Sequence, residues 1–206
     1  HNAMALVREY EAIEGQKRPL HIVSFEVDFD PLKLALKHPS YFKHLRHAGP
    51  KSLLDTGRFE RDGILWELIK GDFFETMKQA PAPDVIFFDP FSYKTDSKLW
   101  TLECFEKLRA RIGDRECQLF TYTNSTAVRA GLLAAGFVVA KGVGSGPKSE
   151  TTVAMTSPST VFAMLDEEWL AKWNRSGSKW PIDVKDDSSI QFSYKIQKHP
   201  QFAISE

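Results

Sequence analysis

Short apolar runs alternate with helical segments along this chain, and three successive runs stop at an acidic residue. Residues 20–25 end at Glu26, 64–70 are closed by Gly71-Asp72, and Val85-Ile86-Phe87-Phe88 stops at Asp89-Pro90. A repeated strand–helix order predicts an α/β sheet with helices on both faces. In such sheets ligands sit at the carboxyl ends of strands, near the point where strand order reverses. Acids at three consecutive strand ends therefore point to a ligand rich in hydrogen-bond donors.

The helices between these strands carry their own signals. Leu6, Tyr10 and Ile13 recur at helical spacing, with Arg8, Glu9 and Glu11 mostly opposite. Asp30-Pro31 marks a helix start, with a capping carboxylate and a proline in the first turn, and Pro39 ends that helix. A polar, helical-looking stretch runs to Gly57, and 73–79 form a short helix. Residues 99–109 read as an amphipathic helix, 118–123 as a strand, and Ser125 caps a helix that Gly136 ends. Residues 137–141 and 151–156 flank a glycine-rich loop and predict a hairpin, which puts one antiparallel strand at the edge of a mostly parallel twisted sheet. Beyond Ser157 one helix is expected around 166–173, then a polar tail wrapping the core. The division predicted is a core over 1–156 and a C-terminal extension over 157–206.

The opening helix starts at His1–Asn2 with no strand before it, and Met4 lies inside it. The expectation is that the central first strand, with its glycine loop, lies upstream of His1. The 206 residues are 42% hydrophobic and 26% charged, enough to bury a sizeable core. No apolar run approaches the roughly 18 residues of a membrane span. Cys104 and Cys117 lack zinc-ligand spacing, the histidines form no metal-binding pair, and free thiols in a reducing, cytoplasmic compartment are expected. Net charge is zero, yet 31–54 contain no acid while Lys33, Lys37, Lys43, Arg46 and Lys51 are joined by His38, His44 and His47. That segment is either a solvated helical face or a patch for phosphates.

Each acidic strand end has a chemical reading and a structural one. Glu26, after the second strand of such a fold, is placed to bind ribose hydroxyls. Asp72 is placed to accept from an adenine amino group, with Phe73 packing on the ring; either acid also suits helix capping. Asp89-Pro90-Phe91-Ser92 resembles the (Asp/Asn)-Pro-Pro-(Phe/Tyr) loop of methyltransferases that act on nitrogen, without its second proline. A carboxylate and a proline-fixed carbonyl accept N–H groups of an amine, and an aromatic face favours the nearby cation. The structural alternative is a helix-capping Asp with a turn proline. Ser92 has no His/Asp partner set, so nucleophilic catalysis is not expected.

The stretch 84–92, then Leu99-Trp100-Thr101, Phe120-Thr121-Tyr122-Thr123 with Val128-Arg129, Ala134-Ala135-Gly136-Phe137 and 144–150, resembles the methyltransferase part of MnmC-type tRNA-modifying enzymes over roughly 1–156. The resemblance implies a Rossmann-like class I methyltransferase using S-adenosylmethionine. Its reaction would convert 5-aminomethyl-2-thiouridine to 5-methylaminomethyl-2-thiouridine at the tRNA wobble position. Position by position it assigns Glu26 to the cofactor ribose, Asp72 to the adenine, Asp89 to the reaction centre, and Asn2 to the last position of the glycine loop. It places Arg129 and Lys148 near the mouth of the site, gripping phosphates of the anticodon loop or simply solvated. Trp100 either stacks on a base or belongs to the core. Pro90 and Tyr93 depart from the family pattern, which has Gly or Ala and then Pro. No fused oxidase half and no metal are expected. Two further readings stand beside this one: a class I methyltransferase for a small-molecule or protein amine, and a non-catalytic Rossmann-like module.

Overall fold

Helix α1 (Asn2–Ala12) turns Met4, Val7 and Tyr10 inward, and with Ile22, Leu53, Phe59, Ile64 and Trp66 they form one buried cluster. Ile13, expected on that face, is 50% exposed, because the helix ends before it reaches the core. The computed structural model describes residues 2–92, 94–144, 146 and 148–203. It consists of two units, His1–Pro81 and Ala82–Glu206.

In the first unit β1 (Leu20–Glu26) is followed by α2 (Asp30–Lys37), α3 (Ala48–Thr56), β2 (Arg58–Arg61), β3 (Ile64–Lys70) and α4 (Phe73–Thr76). The sheet order is β1-β3-β2. Strands β1 and β3 are parallel, with Leu20 beside Ile64 and Glu26 beside Lys70; such a pair needs a long crossover, which α2 and α3 supply. The β2 strand is absent from the sequence reading. It pairs antiparallel with β3 across Asp62-Gly63, both at positive φ (49° and 83°), as a two-residue hairpin turn requires. The cap position expected of Asp30 is held by Phe29, which offers no side-chain bond, and Asp28 Oδ1 accepts from the Asp30 N–H at 2.9 Å. Asp30 already lies in the first turn, where it pairs with Lys33 at 2.8 Å. That salt link lowers the Asp30 carboxyl pKa.

The second unit runs β4 (Val85–Phe87), α5 (Leu102–Ile112), β5 (Gln118–Thr121), α6 (Thr126–Ala134), β6 (Val138–Val143), β7 (Glu150–Met155), β8 (Ala163–Met164), α7 (Glu167–Arg175) and α8 (Asp186–Gln197). The order β4-β5-β7-β6-β8 sets β4 parallel to β5. The hairpin β6–β7 forms, with β7 antiparallel to both β5 and β6. The antiparallel β7 thus lies between β5 and β6 and not at the edge, which the short β8 takes, antiparallel to β6; three of the five strands still run one way, the α/β arrangement of a Rossmann-like fold. The helix expected over 99–109 is divided: Ser97–Trp100 make a 3-10 turn, and Thr101 Oγ1 accepts from Cys104 N to start α5. Helices α5 and α6 approach closely, since a Cβ on Gly131 would meet the Phe105 ring at 3.0 Å. Phe105 is wholly buried, a contribution of about 2–3 kcal/mol.

Residues 157–203 pack onto this unit through specific polar contacts. Asp183 accepts from the N–H groups of Leu102 and Glu103 at 2.8 and 3.1 Å, capping α5. The Gln201 amide bonds both backbone groups of Val139 at 2.7 Å. Helix α8, unforeseen in the polar tail, buries Phe192 and Ile196, and Phe192 joins Trp173 and Trp180 in an aromatic cluster.

Candidate active site

The residues singled out from the sequence divide between the units, Asn2, Glu26, Asp72 and Phe73 in the first and the others in the second. In the first, parallel pairing sets the ends of β1 and β3 side by side, and the Gly71 N–H donates to the Glu26 carbonyl at 3.0 Å. Glu26 and Asp72 thus stand at neighbouring strand ends, both exposed. Gly71 has φ 141°, and a Cβ there would meet Thr76 Cγ2 at 2.9 Å, so the turn between them is tied to glycine. Asp72 Oδ1 accepts from Phe74 N at 2.8 Å and caps α4, so the capping role is present. Its Oδ2 takes no hydrogen bond among the described residues. Phe73 is half-buried edge-on against Phe25, with ring centroids 5.1 Å apart. Asn2 is exposed in the first turn of α1. Two carboxylates beside an aromatic ring fit the hydroxyls and base of a nucleoside.

In the second unit, Phe88 continues the ladder past β4 by donating to Phe120 O at 2.8 Å, and the chain then leaves the sheet at Asp89. Pro90 fixes the backbone φ of the next position. Phe91 is held at both backbone groups: its N–H donates to Asp96 Oδ2 at 3.0 Å, and its carbonyl accepts from Trp100 Nε1 at 2.7 Å. The Phe91 ring is 73% exposed and Asp89 is exposed. Tyr93 lies outside the described residues, as do Ser145 and Pro147 of the glycine-rich loop.

Trp100 is only 4% exposed, wedged edge-to-face against Phe88 and Tyr122 at 5.5 and 6.0 Å. It is therefore no platform for a base; its N–H holds the Phe91 carbonyl while its ring packs on Phe88 and Tyr122. That is the core reading of Trp100, whereas Arg129 departs from both of its readings. It is 3% exposed and ties α6 to β7 through Thr152 Oγ1, Glu150 and the Thr151 carbonyl at 3.0, 2.8 and 2.8 Å. All three of its guanidinium nitrogens are engaged, leaving no surface for phosphate. Thr152 Oγ1 donates onward to Thr123 O at 2.6 Å, fixing the loop after β5.

That loop carries a residue that sequence reasoning passed over. Tyr122 follows β5 at the same sheet end as Asp89, and Lys148 Nζ reaches its carbonyl at 3.1 Å. Burial first, and then the Asp89 charge, raise the Tyr122 phenol pKa. The available signal was its position at the end of the strand next to the Asp89 strand. A cavity of about 610 Å³, lined by Asp84, Cys117, Gln118, Met155 and Thr160 among others, opens instead at the amino ends of β4 and β5. Burial pushes the Cys104 and Cys117 thiols up to about 12 and about 11, so neither is an available nucleophile. Among the described residues no His, Cys, Asp and Glu cluster is set to hold a metal, and no helix is long and apolar enough to cross a membrane.

Residues 37–157 match the model of a family described as S-adenosyl-L-methionine-dependent methyltransferase. The chain belongs to that family. Its cofactor is S-adenosylmethionine. Among curated relatives, the tRNA 5-methylaminomethyl-2-thiouridine biosynthesis bifunctional protein MnmC of Ralstonia nicotianae is 36% identical over 135 residues, 61% of this chain and 20% of that protein. The protein of the same name from Aeromonas hydrophila is 30% identical over 161 residues, 71% of this chain and 24% of its own length. This chain thus spans a fifth to a quarter of those relatives. The crystal structure of MnmC2 from Aquifex aeolicus is similar in fold, with a TM-score of 0.65 at 21% identity over 96% of this chain and 64% of that one. The family match covers α3 to β7, and so contains Asp72, Asp89, Tyr122 and Lys148.

Proposed function

We propose that this methyltransferase methylates the exocyclic amine of 5-aminomethyl-2-thiouridine at the tRNA wobble position in the cytoplasm, yielding 5-methylaminomethyl-2-thiouridine. The observation that carries the reading is the Asp89–Phe91 loop at the end of β4. It offers a carboxylate, an exposed aromatic ring and a backbone pinned by Asp96 and Trp100. The names of the MnmC relatives support the choice of amine and of tRNA. The end of the family match at residue 157 supports a methyltransferase core over 1–156 with 157–206 as an extension.

When bound, S-adenosylmethionine supplies an electrophilic methyl carbon on a sulfonium. Glu26 would accept from its ribose hydroxyls and Asp72 Oδ2 from its adenine amino group, with Phe73 against the ring and Asn2 as a further cofactor contact. Asp89 accepts an N–H of the substrate amine, aims the nitrogen lone pair and takes up the released proton. Pro90 stiffens that loop, and Phe91 covers the amine and favours the nearby positive charge.

The decisive experiment is transfer of labelled methyl from S-adenosylmethionine to tRNA carrying 5-aminomethyl-2-thiouridine, with the intact protein beside Asp89→Ala. Incorporation at the wobble uridine should fall at least about 100-fold in the variant. Absent incorporation with cofactor binding intact would reject this substrate and redirect the search to small-molecule or protein amines.

A further inference from the structure

A primary ammonium already rests on Tyr122. Lys148 Nζ lies 4.6 Å from the centroid of its ring and donates to its carbonyl oxygen at 3.1 Å. Glycine at position 144 lets the backbone carrying Lys148 pass close, since a Cβ there would meet the Lys148 carbonyl at 2.5 Å. The ring has a second, fixed neighbour: Trp100 stands edge-to-face to it, the planes at 85°, and donates its indole N–H to Phe91 O. The negative face of the ring and a carbonyl lone pair both attract a cation. With its phenol pKa raised, Tyr122 stays neutral and keeps that face. Nothing in the contact is particular to lysine; what it takes is a methylene bearing an ammonium. The substrate proposed above ends in that same group.

We propose that the Tyr122 ring and carbonyl form an ammonium subsite that captures the substrate's aminomethyl group, and that Lys148 occupies it as a placeholder until displaced. The inference rests on the proposed function for the identity of the amine. Tyr122 is then a positioning residue: it keeps the amine at the Asp89 end of β4, where loss of a proton frees the lone pair. A placeholder has a signed consequence. Removing it removes a competitor, so the amine binds more tightly, whereas a lysine that grips phosphate would weaken every RNA when removed.

The test is binding of two anticodon stem-loops to the intact protein by fluorescence anisotropy. One carries 5-aminomethyl-2-thiouridine, the other 5-hydroxymethyl-2-thiouridine at the same position. The wild-type protein should prefer the amine about tenfold. Lys148→Met should raise that preference about threefold further, with the hydroxymethyl loop unaffected. Tyr122→Phe should retain the preference and Tyr122→Leu should lose it. Equal weakening of both loops by Lys148→Met, or no amine preference in the wild type, would overturn the subsite. Methyl transfer is scored separately: its absence with the preference intact would remove the proposed reaction and leave the subsite standing.

Discussion

Arg129 shows how a side chain placed by sequence at the mouth of a site becomes a strut. Its Nε, Nη1 and Nη2 are spent on Thr152, Glu150 and Thr151, and removing it leaves those acceptors without their donor inside the protein. Arg129→Ala should cost about 3 kcal/mol of stability in urea unfolding. Arg129→Lys should recover only part of it, because one ammonium cannot serve the same fork. Loss of RNA affinity without loss of stability would restore a phosphate role. His199 gives the pH counterpart. Burial lowers its pKa below the ordinary 6.5, and its Nδ1 accepts from Gln201 N at 3.2 Å, which favours the neutral ring. The unfolded chain binds the proton more readily, so this residue costs stability as pH falls below about 6.5 and contributes no pH dependence above it. His199→Asn keeps an acceptor and removes the titration. The drop in Tm between pH 7.5 and 5.5 should shrink in that variant.

At the scale of elements, the hairpin joining β2 and β3 rests on two residues. Gly63 has φ 83°, and a Cβ there would meet the Tyr10 hydroxyl at 2.9 Å, the same hydroxyl that donates to Arg18 O at 2.7 Å. Gly63→Ala should therefore lower stability by about 2 kcal/mol in chemical denaturation, while Gly177→Ala, with open space around it and no positive φ, should cost less. The Asp-Gly pair between Arg58–Arg61 and Ile64–Lys70 was a readable hairpin signal, obscured because β2 is polar on its exposed positions. Strands with apolar runs, such as Ile64–Lys70, were legible to the residue. Boundaries set by side-chain caps were not: Thr101 splits an otherwise continuous apolar periodicity, and α8 shows its core face only once Trp173 and Trp180 are beside it. The acids at strand ends were visible as sequence punctuation. The strand-end position of Tyr122 and the core reading of Trp100 were readable in the same way, whereas the inward turn of Arg129 depends on tertiary packing, which no spacing rule encodes.

For the whole molecule, a formal charge of zero conceals an uneven distribution. Lys33, Lys37, Lys43, Arg46 and Lys51 are all exposed. His47 is spent instead on capping α3 and meeting Glu11 at 3.1 Å. If the cations meet phosphates of the proposed tRNA, Lys43→Glu with Arg46→Glu should weaken binding at least about tenfold. The slope of log affinity against log salt should also flatten by about 1.5. Unchanged affinity across salt would leave the segment a solvated face. One last property follows from how the Asp89 loop is anchored. Of the five tryptophans, Trp100 alone donates its indole N–H to Phe91. A shift of that carbonyl alters the polarity felt by its excited state, so Trp100 emission is an optical gauge of the loop, installed by the fold rather than by a dye.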